Sequence, residues 1–322
     1  MGIMHRKHLL SVFQFNKQQV LQYIKRAIEI KRDGPSCMFP TKTVISMFFE
    51  PSTRTSCSFQ AAAIRLGCRT IAITDKISSA EKGESLEDTV KTLQYYGDAI
   101  VLRHPEKGSS RKAAGVSAIP VINAGDGNGE HPTQALLDIF TIYEEMRKRN
   151  IDLMDGNREP ITVAMVGDLK NSRTVHSLVH LLAMFPKIRI IYIAPPSLEI
   201  PEEIMGRECN SMNNDLQQIT GLSLFEAIGE TDVLYMTRIQ KERFENVRDY
   251  YDITLSHGFI NYCITPELLE RAKGSAIIMH PLPRSTELPS WVDADPRAVY
   301  FNQVENGVYM RMAILEGIFS EP

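Results

Sequence analysis

The sequence predicts an α/β fold built on two doubly wound parallel sheets. Three observations carry the prediction. Short apolar, β-branched runs recur along the chain: TVISMFF (43–49), TIAI (70–73), AIVL (99–102), ITVAMV (161–166), IRIIYI (188–193), VLYM (233–236) and AIIM (276–279). Each is followed by a polar turn and most then by a helical pattern, the alternation of βαβ units. The runs are near-continuously apolar rather than alternating, as in strands covered on both faces.

Three helical patterns frame these strands. Residues 16–31 place Val20, Ile24, Ala27 and Ile28 on one face. Residues 132–149, PTQALLDIFTIYEEMRKR, open with Pro, whose missing N–H costs least in a first turn, and close in a basic turn that suits the helix dipole. Residues 304–319 set Met312, Leu315 and Phe319 at helical spacing. The Gly- and Pro-bearing stretch NIDLMDGNREP follows residue 149 and precedes a fresh strand, which predicts a domain boundary near 150. The expected division is 1–149, 150–303 and a terminal helix over 304–322. The polar, irregular residues 205–220 read as a surface loop. A chain of 322 residues is long enough for two domains with a core each.

Composition narrows the function. With 43% hydrophobic and 23% charged residues and a net charge of −3, nothing points to nucleic acid or membrane, so any anion site must be built locally. The five cysteines form no CxxC pair and are odd in number, which argues against a zinc site or disulfide framework and for a reducing compartment. No apolar run reaches the roughly 18 residues of a spanning helix, and MGIMHRKHLLSV lacks a signal core. A cytoplasmic location with no metal and no cofactor is expected.

The first chemical signal is FFEPSTRTSCSFQAAAIRLG (48–67). Ser52, Thr53, Arg54 and Thr55 stand at a strand–turn–helix junction. Helix N-termini offer unsatisfied N–H groups and a partial positive charge, hence an anion site. Three hydroxyls and a guanidinium add donors matched to phosphate. Plain N-capping is the competing use, but it needs one hydroxyl only. Arg103 and His104 follow the next buried strand, where side chains line the ligand edge of an α/β sheet. In INAGDGNGEHPTQALLD (122–138), His131 and Gln134 follow a Gly-rich loop at a helix start. Ser78 and Lys82 lie on the polar loop KISSAEKGESLEDTV, where Ser85 and Asp88 read as a helix start. In the second half, the turns after three strands bring Arg173, Arg238, Gln240 and the HPLPR turn to one sheet edge. Two converging arginines suit a second acidic ligand such as a carboxylate pair. Salt bridges to Glu50 or Glu242 are the competing use of such arginines, Arg243 above all.

These motifs together resemble the carbamoyltransferase family, and within it the aspartate carbamoyltransferase catalytic chains. The resemblance spans nearly the whole chain: STRT (52–55), KGES (82–85), LRHP (102–105), HPTQ (131–134), VGDLKNSRTVHS (166–177), TRIQKERF (237–244) and HPLPR (280–284), in order. It implies a carbamoyl phosphate-binding domain (1–149), an aspartate-binding domain (150–303) and a C-terminal helix returning to the first. It implies transfer of the carbamoyl group from carbamoyl phosphate to the amine of L-aspartate, giving N-carbamoyl-L-aspartate and phosphate in pyrimidine synthesis. Ser52, Thr53, Arg54 and Thr55 with Arg103 would grip phosphate and carbonyl. His131 and Gln134 would meet the carbamoyl group, and Arg173, Arg238 and Gln240 the aspartate carboxylates. Leu282 and Pro283 would offer backbone contacts. Ser78 and Lys82 would come from a neighbouring chain of a homotrimer. Ser172 stands where the family often has Gly.

Ornithine carbamoyltransferase is the nearest competitor. It binds a cationic side chain and typically carries HCLP, where this chain has HPLP and Arg238. A catalytically dead scaffold would have lost a gripping residue, and none is lost. A Rossmann-type oxidoreductase lacks its GxGxxG after a strand.

Overall fold

The computed structural model describes residues 8–74, 83–209 and 216–320. The chain divides into two units, Met1–Phe140 with Val304–Pro322, and Thr141–Gln303. The division falls inside a helix, not at the polar stretch after residue 149. The helical pattern runs unbroken through Phe140 to Lys148, and left-handed Asn150 (φ 59°) comes only after it.

In the first unit α1 (Lys17–Asp33) precedes β1 (Thr43–Phe48), α2 (Thr53–Arg65), β2 (Arg69–Thr74), α3 (Leu86–Leu93), β3 (Ala99–His104), α4 (Ser109–Val116), β4 (Val121–Asp126) and α5 (Pro132–Lys148). The strands pair in parallel in the order β2-β1-β3-β4. Ile45, Met47, Ile100, Leu102 and Val121 from three strands pack with Val90 and Leu93 of α3 and Ala113 of α4. Burying each Ile or Leu stabilises by about 1.5–3 kcal/mol.

The second unit runs β5 (Ile161–Val166), α6 (Arg173–Leu182), β6 (Ile188–Ile193), α7 (Glu202–Cys209), β7 (Leu216–Ile219), α8 (Leu224–Ala227), β8 (Val233–Met236), α9 (Val247–Thr254), α10 (Pro266–Arg271) and β9 (Ile277–Met279). Its strands are also parallel, in the order β7-β6-β5-β8-β9. The last helix, α11 (Tyr300–Phe319), closes the chain. Its residues from Val304 onward cluster with the first unit. There Arg26 of α1 reaches Glu316 with two nitrogens (2.8 and 3.2 Å), and Lys31 reaches Asn306 at 2.8 Å.

The described part of 205–220 is not loop: it holds the end of α7 and the edge strand β7. An edge strand pairs on one side only, so LQQI needs no apolar run. β4 also escapes the apolar-run criterion, because VINAGD carries Asn123 and Asp126, both buried and hydrogen-bonded. Among the described residues, no helix is long and apolar enough to cross a membrane.

Candidate active site

Both sheets reverse their winding direction once. In the first, the chain goes from β1 to β2 on one side, then to β3 on the other. In the second, β6 and β7 lie on one side of β5, and β8 and β9 on the other. Ligands of open α/β sheets bind outside the carboxyl ends of the strands at such a reversal. Apart from Ser78 and Lys82, the residues singled out in the sequence stand at or just beyond the carboxyl ends of β1, β3 and β4 in one unit, and of β5, β8 and β9 in the other.

In the first unit, Ser52 is the N-cap of α2, with φ −159° and ψ 88°, and its side chain makes no capping hydrogen bond. At four other helices the N-cap side chain does cap: Asn16, Ser85, Ser223 and Thr265 each accept from the third backbone N–H of their helix. A serine cap is worth about 1 kcal/mol. Withholding it at α2 leaves the Ser52 hydroxyl for something other than the helix. Thr55 is buried, Ser52 and Arg54 are half-buried and Thr53 is exposed, so the four residues grade from solvent into the protein. Arg103 is the next-to-last residue of β3, in register with Phe48. Its guanidinium pairs with Glu50 at 3.0 Å and donates to the Ala124 carbonyl at 3.4 Å.

The loop after β4 is held by one carboxylate. Asp126 accepts from the N–H of Glu130 (2.8 Å) and, across the sheet edge, from that of Gly108 (2.9 Å). Gly127 (φ 53°) comes so near the β3 loop that a Cβ there would stand 2.4 Å from the Pro105 carbonyl oxygen. This close approach delivers His131 and α5. His131 is 3% exposed, with Nδ1 3.5 Å from Thr133 Oγ1. Gln134 lies in the first turn of α5 and donates from Nε2 to Asp138 Oδ1 at 2.9 Å.

The second unit repeats this logic with other residues. Asp168 accepts from the N–H of Asn171 (2.9 Å) and lies 3.5 Å from that of Gln240, joining the β5 and β8 loops. Burial pushes the Asp168 carboxyl above the usual carboxylate range, and hydrogen bonds from Asn171 and Gln240 pull the other way. Gly167 (φ 115°) leaves a gap of only 2.1 Å between a would-be Cβ and the Thr237 carbonyl oxygen. The two loops could not meet with any side chain there. Arg173 opens α6 and is buried, behind an N-cap, Ser172, that again makes no capping bond. The Ser172 hydroxyl turns instead to Thr174 Oγ1 at 3.0 Å. Arg238 forms an ion pair with Glu242, and Gln240 Nε2 donates to the Asn171 carbonyl at 3.3 Å. Glu50 and Glu242, weighed in the sequence as competing partners of Arg243 above all, pair with Arg103 and Arg238.

After β9, Leu282 takes φ 57° before a cis peptide bond to Pro283, which is exposed. Two buried groups hold this turn. The Leu282 N–H donates to His280 Nδ1 (2.7 Å), so the ring proton sits on Nε2, which reaches Glu287 Oε1 at 3.0 Å. Burial works to raise the Glu287 carboxyl, but hydrogen bonds from His280 and Ser285 outweigh it and hold it below its ordinary range.

The structure thus brings Ser52, Thr53, Arg54, Thr55, Arg103, His131 and Gln134 to the strand ends of the first sheet. It brings Arg173, Arg238, Gln240, Leu282 and Pro283 to those of the second. Ser78 and Lys82 lie outside the described residues. Sequence reasoning missed the carboxylates that fix the loops, Asp126 and Asp168. Their signal was available: each stands next to a glycine (GDG, VGDLKN) at a strand end.

Comparison with known proteins agrees with this arrangement. Residues 7–144 match the aspartate/ornithine carbamoyltransferase carbamoyl-P binding domain, and residues 159–318 the Asp/Orn binding domain of the same family. The chain is 41% identical to the aspartate carbamoyltransferase catalytic subunit of Aliivibrio fischeri over 321 residues, 99% of this chain and 98% of that protein. It is 45% identical over 317 residues to multifunctional protein pyr1-3 of Dictyostelium discoideum, covering 97% of this chain but only 13% of that much longer protein. The crystal structure of aspartate transcarbamoylase from Trypanosoma cruzi in complex with N-(phosphonacetyl)-L-aspartic acid superposes with a TM-score of 0.87 at 38% identity, covering 98% of this chain and 96% of that one. Two matched domains in the right order, on two parallel sheets whose strand ends carry the expected donors, place this chain in the aspartate/ornithine carbamoyltransferase family.

Proposed function

We propose that the chain is an aspartate carbamoyltransferase, moving the carbamoyl group of carbamoyl phosphate to the amine of L-aspartate. The observation that carries the reading is the start of α2, where the N-cap hydroxyl is not spent on its helix. The N–H groups, three hydroxyls and Arg54 then form a ready phosphate grip. The ligands of Trypanosoma cruzi aspartate transcarbamoylase, carbamoyl phosphate and aspartate in one crystal, agree with that chemistry.

In this reading the phosphate of the first substrate lies on Ser52, Thr53, Arg54 and Thr55. Its carbonyl oxygen faces Thr55, Arg103 and His131, and its NH2 group faces Gln134. Arg173, Arg238 and Gln240 hold the aspartate carboxylates, and the turn at Leu282 and Pro283 offers backbone carbonyls. The aspartate amine attacks the carbonyl carbon. Negative charge collects on the carbonyl oxygen, where fixed donors lower the barrier because they need no rearrangement. Collapse expels phosphate, which takes the amine proton. Holding two reactants in attack geometry supplies much of the rate. Arg103 and Arg238 meet Glu50 and Glu242 in the chain itself, so substrate anions replace or share those carboxylates. Ser78 and Lys82 complete the site from a second copy, which makes the working unit a homotrimer, and the protein acts in the cytoplasm.

The preference for aspartate over ornithine follows from charge. Arg238 attracts a carboxylate and repels an ammonium group. The test is ureido-product formation from carbamoyl phosphate with L-aspartate or L-ornithine. Product with aspartate alone is expected. Product with ornithine would keep the first-unit grip and overturn the second. The trimer is tested by mixing Lys82→Ala with Arg54→Ala chains: shared sites restore part of the activity, and separate sites restore none.

A further inference from the structure

The Gln134 carboxamide can present either its oxygen or its nitrogen to a ligand, and the two faces select different chemistry. Its Nε2 donates to Asp138 Oδ1, one turn along α5, at 2.9 Å. Gln134 is 9% exposed and Asp138 is fully buried. An ionised carboxylate offers acceptors only, so the amide facing it must offer its NH2 and turn its oxygen away.

Arg311 of α11, itself 3% exposed, is the buried cation on which the charge of Asp138 acts. Burial works against the charged guanidinium, and the charge of Asp138 works for it. Arg311 Nη1 donates to Ser58 Oγ on α2 at 2.7 Å, and the guanidinium carbon lies 5.0 Å from the Phe59 ring centre. Room for it depends on Gly307, where a Cβ would stand 2.7 Å from Nη1. One buried cation therefore faces both helices that carry the first-unit donors, α2 through Ser58 and α5 through Asp138.

We propose that Asp138, backed by Arg311, is a positioning residue that sets substrate specificity: it locks Gln134 with its carbonyl oxygen toward the acyl group, so that the site selects an acyl phosphate bearing NH2 over one bearing CH3. The inference rests on the reading that Gln134 meets the carbamoyl group. A methyl group donates nothing, so acetyl phosphate leaves the glutamine oxygen unpaired, and discrimination on the order of 10²-fold is expected. In Asp138→Asn the shape is kept. Arg311 draws the new amide oxygen toward itself, which leaves an NH2 facing Gln134 and turns Gln134 over.

The experiment compares kcat/KM for carbamoyl phosphate, at saturating aspartate, with the inhibition constant of acetyl phosphate. It uses the full-length protein and its D138N, Q134A and double variants. In D138N, kcat/KM for carbamoyl phosphate falls by about tenfold or more, acetyl phosphate binding stays within about twofold, and the double variant discriminates no worse than Q134A alone. A D138N variant that weakens both ligands equally makes Asp138 merely structural and overturns the inference; so does one that changes neither. Should D138N fail to fold, Q134A decides, because unchanged discrimination there is equally fatal. A wild-type protein that binds no carbamoyl phosphate overturns the proposed function along with the inference. Wild-type turnover with an unchanged variant ratio overturns the inference alone.

Discussion

The two units present their candidate anion donors by different constructions. In the first, four donors are consecutive, Ser52 to Thr55, and one helix start presents them all. In the second, Arg173, Arg238, Gln240 and Leu282 come from three loops that Asp168 and the His280–Glu287 pair hold in place. The supports differ as well. The first grip stands on β1 and β3, whose apolar residues lie in the unit's main cluster. The segment after β8 rests instead on a small cluster of Leu198, Ile239, Phe259 and Cys263, and α9 has no buried residue at all. A grip contiguous in sequence comes with its helix. A grip gathered from loops needs extra buried polar groups, and part of it sits on weakly packed chain.

The sharpest test of this contrast is Arg54→Ala, which removes a donor that the proposed function sets against the departing phosphate. We expect a loss on the order of 10²- to 10³-fold in kcat/KM in steady-state assays. A loss below about tenfold would make Arg54 structural. Next comes Gly167→Ala, which drives a methyl group into the Thr237 carbonyl. It should cost about 3 kcal/mol in urea unfolding, and aspartate affinity should suffer before phosphate affinity does. Equal damage to both would erase the distinction between the two constructions. Arg238→Ala should raise KM for aspartate by about 10- to 100-fold, the size of one charge-assisted hydrogen bond, with carbamoyl phosphate binding unchanged by calorimetry.

The smaller effects concern stability. The Glu287 carboxyl lies below its unfolded value in the fold. Its contribution is therefore complete above about pH 4.3 and lost as pH falls through the depressed range. Glu287→Gln should flatten the acid side of the stability–pH curve. A parallel curve would remove the His280–Glu287 pair from the account. Last, amide hydrogen exchange over residues 240–256 should be faster than in β5 and β8 of the same unit. Equal protection would mean the small cluster holds as firmly as the sheet.

Much of this was legible in the sequence, for identifiable reasons. Continuous apolar runs announced the buried strands, and also the edge strand β2, whose residues are half-buried or exposed rather than covered on both faces. They missed β4, where buried Asn123 and Asp126 serve the loops, and β7, an edge strand with little to bury. Consecutive donors announced the α2 site, but whether Ser52 spends its hydroxyl on its helix depends on backbone angles that composition does not record. The boundary expected near 150 falls between the two matched domains, residues 7–144 and 159–318, while the compact units divide earlier, inside α5 after Phe140.

By itself, then, the sequence determined the residue types at each strand end and the periodicity that makes strands and helices of them, since both are local properties of the chain. Only the tertiary structure decided which strand ends lie side by side, which arginine meets which carboxylate, and which buried groups hold the donors still. Those choices depend on contacts between residues far apart in the chain, such as Arg311 with Ser58 and Gln240 with Asp168, and no local pattern encodes a distance across a fold.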